Sequence, residues 1–268
     1  MTTAHLQSDF DFNVTIEHIN DRQPNPHWKI ERTINDTMYV IGYCRDGEAL
    51  YTYNGKQVEV RRGDVLLFPK GFVRSAAANP DNPWSFISVT FDVLFQNEQS
   101  REQFDRLDIR IRSPHLYKLS HLFHELNQVW TGKRNGFSVK CRSILMDILY
   151  RVIREQDRTE YGSSRYNAIE TTANHILQHY ADSFSIEELA RLSGLSPSHF
   201  RLLFKKIMGM TTVQYQNHIR VGKARDLLLG GHCNVTEAAL AVGFQDIYYF
   251  SRLFKKLTGE NPSDCISV

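Results

Sequence analysis

Long apolar runs are missing from this chain of 268 residues: no stretch approaches the ~18–20 consecutive apolar residues that a membrane-spanning helix needs. Met1 to Phe12 has no basic start followed by an apolar segment, which predicts no secretory leader. Cysteine is scarce, and the four present, Cys44, Cys141, Cys233 and Cys265, lie far apart without a Cys-x-x-Cys pair. Neither a disulfide framework nor structural zinc is expected, and a reduced, cytoplasmic compartment fits best. An excess of one charge is also missing. Lys and Arg number 32 against 30 acidic residues, a formal net charge of +2. Nucleic-acid binding therefore has no support from overall charge and must be argued from where the basic residues sit. No Gly-x-Ser-x-Gly, phosphate loop or dinucleotide fingerprint occurs, so no catalytic residues and no cofactor are expected. His121, His124 and Glu125 share a helix face with zinc-like spacing, but no further ligand cluster accompanies them, and an ordinary helix face is the reading adopted.

What is present supports about two domains with ordinary cores, given 41% hydrophobic and 12% aromatic residues. One short pattern occurs twice, 50 residues apart: Phe200-Arg201-Leu202-Leu203-Phe204-Lys205-Lys206-Ile207-Met208-Gly209 and Phe250-Ser251-Arg252-Leu253-Phe254-Lys255-Lys256-Leu257-Thr258-Gly259. A fixed-period repeat means two copies of one structural unit. In each copy the apolar residues fall at i, i+3, i+4, i+7, predicting an amphipathic helix that ends at a glycine after a basic pair. A shorter helix and a glycine turn precede each copy. Ser185 stands three residues before Glu188 as a capping box, with the turn at Gly194; the second copy runs from Val235 to Gly243. Short helix, turn and basic helix make a helix-turn-helix, whose second helix can lie in a DNA major groove.

From His27 to Asp92 the sequence turns β-like. Candidate strands are Trp28–Ile34, Met38–Cys44, Ala49–Tyr53, Lys56–Val60, Val65–Pro69, Val73–Ala77 and Phe86–Phe91, separated by turn residues such as Asn54-Gly55. Strands at this spacing predict a small barrel or jelly roll. Met1 to Asp21 is weakly patterned and expected to be partly ordered. After Pro114, Leu116, Leu119, Phe123, Leu126 and Trp130 follow a heptad seam, and Cys141, Leu145, Ile148 and Val152 follow another, predicting a helical hairpin. Gln156 to Tyr166 is charged and glycine/serine-containing, the expected interdomain linker.

Gly243-Phe244-Gln245-Asp246-Ile247-Tyr248-Tyr249-Phe250-Ser251-Arg252-Leu253-Phe254-Lys255-Lys256, with Gly259 and Pro262 beyond, resembles the signature of AraC-type transcription regulators, a likeness running from about Tyr166 to Ile266. Arg62-Gly63-Asp64-Val65-Leu66-Leu67-Phe68-Pro69-Lys70-Gly71, with Trp84 to Phe91, is more loosely similar to the cupin-like sensor domain of that family. Where many members continue to a histidine, Arg74 stands here, and no His-x-His pair occurs between His27 and His115, which argues for a binding pocket and against a metal.

The resemblance implies an α+β multidomain chain: a cupin-like β-barrel or jelly roll over 1–113, a helical dimerisation hairpin over 114–156, a linker over 157–166 and an all-α double helix-turn-helix domain over 167–268. It further implies two units joined by a long helix from about Thr212 to Leu229, a homodimer formed through Leu116, Leu119, Phe123, Leu126 and Trp130, double-stranded DNA as partner, and activation through contact with RNA polymerase. The alternative for the hairpin is that it simply covers the barrel. On the DNA face, Ser198, His199, Arg201, Leu202, Lys205 and Lys206 are expected from the first unit, and Tyr248, Tyr249, Arg252, Lys255 and Lys256 from the second, because the phenylalanines turn inward. For a small effector the candidates are Arg32, Tyr43, Tyr53, Arg74 and Trp84. Aromatic faces suit a sugar or an aromatic ligand, and a guanidinium suits a carboxylate or phosphate. Two other readings stay open: a ligand-independent regulator or repressor, and a cupin enzyme fused to a DNA-binding domain.

Overall fold

Asn54 and Gly55 both take positive φ (49° and 71°) and close the hairpin between β4 (Glu48–Tyr53) and β5 (Lys56–Arg61), with Tyr53 opposite Lys56. The computed structural model that shows this describes residues 10–113, 115, 119–231 and 233–266, in two compact units, Phe10–Glu160 and Tyr161–Val268.

In the first unit the remaining strands are β1 (Phe12–Arg22), β2 (Lys29–Thr33), β3 (Tyr39–Asp46), β6 (Val65–Phe68), β7 (Arg74–Ala78), β8 (Ser85–Phe95) and β9 (Arg110–Ile111). They form two antiparallel sheets, ordered β1-β8-β3-β6-β9 and β2-β7-β4-β5. The stretch expected to be weakly patterned holds β1, 11 residues paired along β8 from Phe12–Phe95 to Arg22–Phe86. A register shift between Ile16 and His18 breaks the alternation of apolar residues that would have marked it as a strand.

The two faces of the five-stranded sheet serve different cores. Val40 and Cys44 of β3 face the four-stranded sheet and pack with Tyr51, Val60, Phe68, Ala76, Trp84 and Phe86. Tyr39, Ile41 and Tyr43, on the opposite parity, face the helices. Those helices are α1 (Glu98–Asp105), α2 (Leu119–Gly132) and α3 (Phe137–Tyr161). Leu119, Phe123 and Leu126 are fully buried in this core, and Phe123 stacks on Tyr43 at 5.4 Å. This corrects the expectation that they form a dimer seam: within a single chain they cover the sheet. Leu116 lies outside the described residues. Trp130 sits at the hairpin turn, where the Lys133 ammonium lies 3.4 Å from its ring and 4.4 Å from that of Phe137.

The stretch expected as a linker is helical on both sides of Gly162. Glu155 and Arg158 pair at 3.0 Å within α3, which runs on to Tyr161, and α4 (Ser163–Gln178) begins after the positive φ of Gly162. Its Arg158, Glu160 and Arg165 are good helix formers, so charge in this stretch does not mark a break.

The second unit continues with α5 (Ile186–Ser193), α6 (Pro197–Met208), α7 (Thr212–Leu229), α8 (Val235–Ala241), α9 (Ile247–Thr258) and a 3-10 turn over Pro262–Cys265. It has two small cores. Ile169, Ile176, Leu189, Phe200 and Phe204 form one, with Tyr215 and Ile219 of α7 against it. Val221, Ala224 and Leu228 of α7 join Phe244, Phe250 and Phe254 in the other. The long helix thus gives its first half to one helix pair and its second half to the other. Both basic helices end at a glycine in the left-handed region, Gly209 and Gly259. No described helix is long and apolar enough to cross a membrane.

Candidate effector cavity and nucleic-acid interface

A cavity of about 190 Å³ opens between the two sheets of the first unit. Trp28, Tyr51, Phe68, Trp84 and Phe86 supply aromatic wall, and Asn20, Thr33 and Ser88 supply neutral polar groups. Its charged lining residues are Arg22 and Arg74, and among the described residues no carboxylate lines it. Trp84 and Phe86 stack at 4.1 Å, with Trp28 edge-on to Trp84 at 4.9 Å.

Arg74 is 7% exposed and lies over Phe68, its guanidinium carbon 4.3 Å from the ring centre. It donates to Asn35 Oδ1 at 2.9 Å and to the Phe72 carbonyl at 3.4 Å. These two bonds leave most of its five N–H donors unused. Burial pushes its pKa down, countered in part by Tyr51, though a guanidinium stays charged at neutral pH. A buried cation with neutral partners alone is costly. The indole Nε1 of Trp84 is a second buried donor, without an acceptor among the described residues. Burial also holds the Tyr51 hydroxyl protonated far above its ordinary range.

Of the five residues expected at an effector site, Arg74 and Trp84 line this cavity. Tyr43 does not: its parity on β3 turns it to the helical core, and Gly42 takes the cavity side. Arg32 is exposed, with a φ of 43° inside a register irregularity of β2 that rotates it outward. Tyr53 packs edge-on to Phe72 at 5.2 Å, beyond the lining. The sequence reading missed Asn20 and Arg22, because β1 was not recognised, and Tyr51, whose alternation with Ala49 was the available signal. Glu125, considered with His121 and His124, is engaged by Lys140 at 2.8 Å and lies 3.9 Å from His121 Nδ1.

In the second unit, α6 starts at Pro197 after Ser196, and α9 starts after Asp246, whose side chain accepts from Tyr249 N–H at 2.9 Å. Phe200, Phe204, Phe250 and Phe254 are fully buried, which turns the other sides of both helices to solvent. Ser198, Arg201, Leu202, Lys205 and Lys206 are exposed on α6, and His199 is half-buried. On α9, Arg252, Lys255 and Lys256 are exposed and Tyr248 is 85% exposed. Tyr249 is more constrained, since its hydroxyl lies 3.2 Å from Asn217 Nδ2 of α7. The short helices before both are capped alike: Ser185 with Glu188 opens α5, and Asn234 with Glu237 opens α8. The arrangement presents two matched basic helices, each held from behind by phenylalanine.

Comparison with known proteins agrees with both halves. A family model described as an AraC-like ligand binding domain matches residues 13–149, and one described as a helix-turn-helix domain matches residues 189–266. The chain is 29% identical over 252 residues to the arabinose operon regulatory protein of Salmonella typhimurium, covering 88% of this chain and 85% of that one. It is 26% identical over 249 residues to the Escherichia coli protein of the same name, with 88% and 82% covered. It is 30% identical over 251 residues to the HTH-type transcriptional regulator YijO of Escherichia coli, with 86% and 83% covered.

Proposed function

Since the chain belongs to the AraC family of DNA-binding transcription regulators, we propose that it senses a small anionic effector, a sugar acid or sugar phosphate, and regulates transcription in response. The observation that carries the effector class is the lining of the inter-sheet cavity, two arginines and, among the described residues, no carboxylate. A ligand carboxylate or phosphate would accept from the unused Arg74 donors as charge-assisted bonds, and a ligand oxygen would meet the Trp84 N–H. The aromatic walls suit the apolar faces of a sugar ring. At about 190 Å³ the cavity is below the ~300–1,000 Å³ typical of drug-sized ligands, so a monosaccharide-sized molecule fits best. The names of the arabinose operon relatives support a sugar-like effector.

On DNA, Arg201 and Arg252 read guanine O6 and N7, and Leu202 and Tyr248 approach thymine methyls. Lys205, Lys206, Lys255 and Lys256 contact phosphate, with Ser198 and His199 at the first groove edge and Tyr249 braced by Asn217. The chain acts in the cytoplasm as a homodimer and an activator in contact with RNA polymerase. Because Leu119, Phe123 and Leu126 are buried within one chain, the second copy meets the outer side of the hairpin, where Val139 and Tyr150 are exposed. The effector acts by binding one arrangement of domains or subunits more tightly than another.

The test of the DNA assignment begins with duplexes selected from a randomised library by the whole chain. Arg252→Ala is expected to cost ~1–3 kcal/mol on the selected duplex and to relax one base position. Lys256→Ala is expected to weaken all sequences alike and to flatten the salt dependence by about one unit of slope. Equal losses on selected and random duplexes for Arg252→Ala would remove it from base reading.

A further inference from the structure

We infer that Arg220 and Gln216 of α7 are positioning residues that fix the separation of the two helix-turn-helix units, and so determine which spacing of base-pair segments the protein accepts. Three consecutive backbone carbonyls just after α4, those of Tyr180, Ala181 and Asp182, are gripped from α7. The Arg220 guanidinium donates to all three, at 2.6, 3.2 and 2.9 Å. One turn earlier on the same helix, Gln216 Nε2 donates to the Tyr180 and Asp182 carbonyls at 2.9 and 2.6 Å.

The same short peptide is abutted from the other side by the second unit. Gly243, in the turn between α8 and α9, has φ of 92°, and a Cβ there would overlap the Ala181 carbonyl. The Phe244 ring lies 5.5 Å from the Arg220 guanidinium, and the Tyr180 side chain packs against the second core. Residues 180–182 follow α4, which belongs to the first core through Ile169, Ala173 and Ile176. A segment tied to the first helix-turn-helix core is thus wedged between α7 and the turn of the second helix-turn-helix. A third tie joins α7 directly to the second recognition helix, Asn217 to the Tyr249 hydroxyl at 3.2 Å.

A single connecting helix would let two small units rock about its axis. The clasp removes that freedom, because five directional bonds converge on three adjacent carbonyls whose positions are tied to the first core. Arg220 is 9% exposed, and its partners are backbone carbonyls. A well-packed apolar side chain commonly stabilises a fold as well as a buried charge does. What the planar guanidinium adds is direction, several donors in a fixed fork. Inserting one base pair between two contacted segments shifts the second by ~3.4 Å along the axis and by about 35° around it. A rigid pair of recognition helices discriminates against that displacement, and a loosely joined pair follows it.

The experiment measures affinity of the whole chain for a duplex it selects from a randomised library, and for derivatives with one or two base pairs inserted between the two protected segments. Wild type is expected to lose roughly tenfold or more on a single insertion, the size of a lost base contact or two. Arg220→Met keeps the apolar stem and removes the donors. It should bind the parent duplex somewhat more weakly but lose less than about threefold on insertion, on the same scale. Gln216→Leu, at a half-exposed position, should shift the same ratio in the same direction by a smaller factor. The inference is overturned if the wild-type chain tolerates the insertion without loss, or if both variants keep the wild-type insertion ratio while losing affinity uniformly. Should Arg220→Met fail to fold by far-ultraviolet circular dichroism, the Gln216→Leu ratio decides alone: an unchanged ratio overturns the inference and a reduced one supports it.

Discussion

Arg112→Met is expected to destabilise the β-rich unit by about 1–3 kcal/mol, less than for a pair buried on both sides because the Arg112 side chain is 47% exposed. Asp64 is 1% exposed, and its carboxylate is held in a two-point pair with Arg112, Nε to Oδ1 and Nη2 to Oδ2 both at 2.6 Å. It also accepts from the Arg61 backbone N–H at 3.0 Å, while its own carbonyl accepts from Cys44 N–H. The pair joins the β5–β6 turn to the residue just after β9. Removing the guanidinium leaves the buried carboxylate with the Arg61 N–H as its remaining partner, and that partial desolvation is the source of the cost. Asp64→Asn in the same background keeps the acceptor for Arg61 and removes the stranded charge, so the double variant should recover most of the loss. Urea unfolding followed by tryptophan fluorescence measures this cleanly. Trp28, Trp84 and Trp130 are the three tryptophans, and all lie in the Phe10–Glu160 unit. A loss below about 1 kcal/mol for Arg112→Met, the range of exposed pairs, would show that the pair acts as a surface one.

Arg74→Met should move two quantities in opposite directions. Affinity for a sugar acid is expected to fall by about 2–4 kcal/mol, roughly 30- to 1,000-fold, because charge-assisted bonds contribute about 1.5–3 kcal/mol each and more than one is lost. Stability without ligand should hold or rise slightly, since methionine keeps the packing on Phe68 while relieving a buried cation of its desolvation. A residue needed only for the fold would lower both. Titration of the tryptophan signal reports binding directly, because Trp28 and Trp84 line the cavity. A variant that binds sugar acids as wild type does would remove Arg74 from the site.

The DNA-reading half was largely legible in the sequence because its signals are local and repeated. The apolar spacing of Phe200–Ile207 and Phe250–Leu257 marked α6 and α9, and Gly209 and Gly259 marked their ends. The clasp between the two helix-turn-helix units was not legible. Its acceptors are backbone carbonyls of Tyr180, Ala181 and Asp182, and carbonyls leave no trace in residue identity. In the other half, turn residues located the β2–β8 strands to within a few residues, yet the cavity depends on which face each strand shows. Tyr43 and Gly42 are neighbours of opposite parity, and the glycine is the one that lines the cavity. Arg32 sits where a register irregularity reverses the parity argument altogether. The heptad of α2 is real as a pattern, but Leu119, Phe123 and Leu126 are satisfied by the chain's own sheet. Spacing alone carries no information on whether the partner surface is a sheet or a second helix.

Thermal unfolding of the whole wild-type chain with matched ligand pairs asks whether the inter-sheet cavity takes an anion. Gluconate, glucuronate and glucose 6-phosphate are compared with glucose and arabinose, together with a wider panel of aldonic and uronic acids and their neutral parents. A ligand that binds only the folded state stabilises it by about 2.7 kcal/mol at 100 times its Kd, so a raised Tm of roughly 5–10 °C is expected for the transition of the tryptophan-containing unit. An anion-binding cavity gives that shift for at least one acid or phosphate and no comparable shift for its neutral parent. A neutral sugar that raises Tm as much as its acid, or a panel in which no anion raises it at all, would contradict the claim.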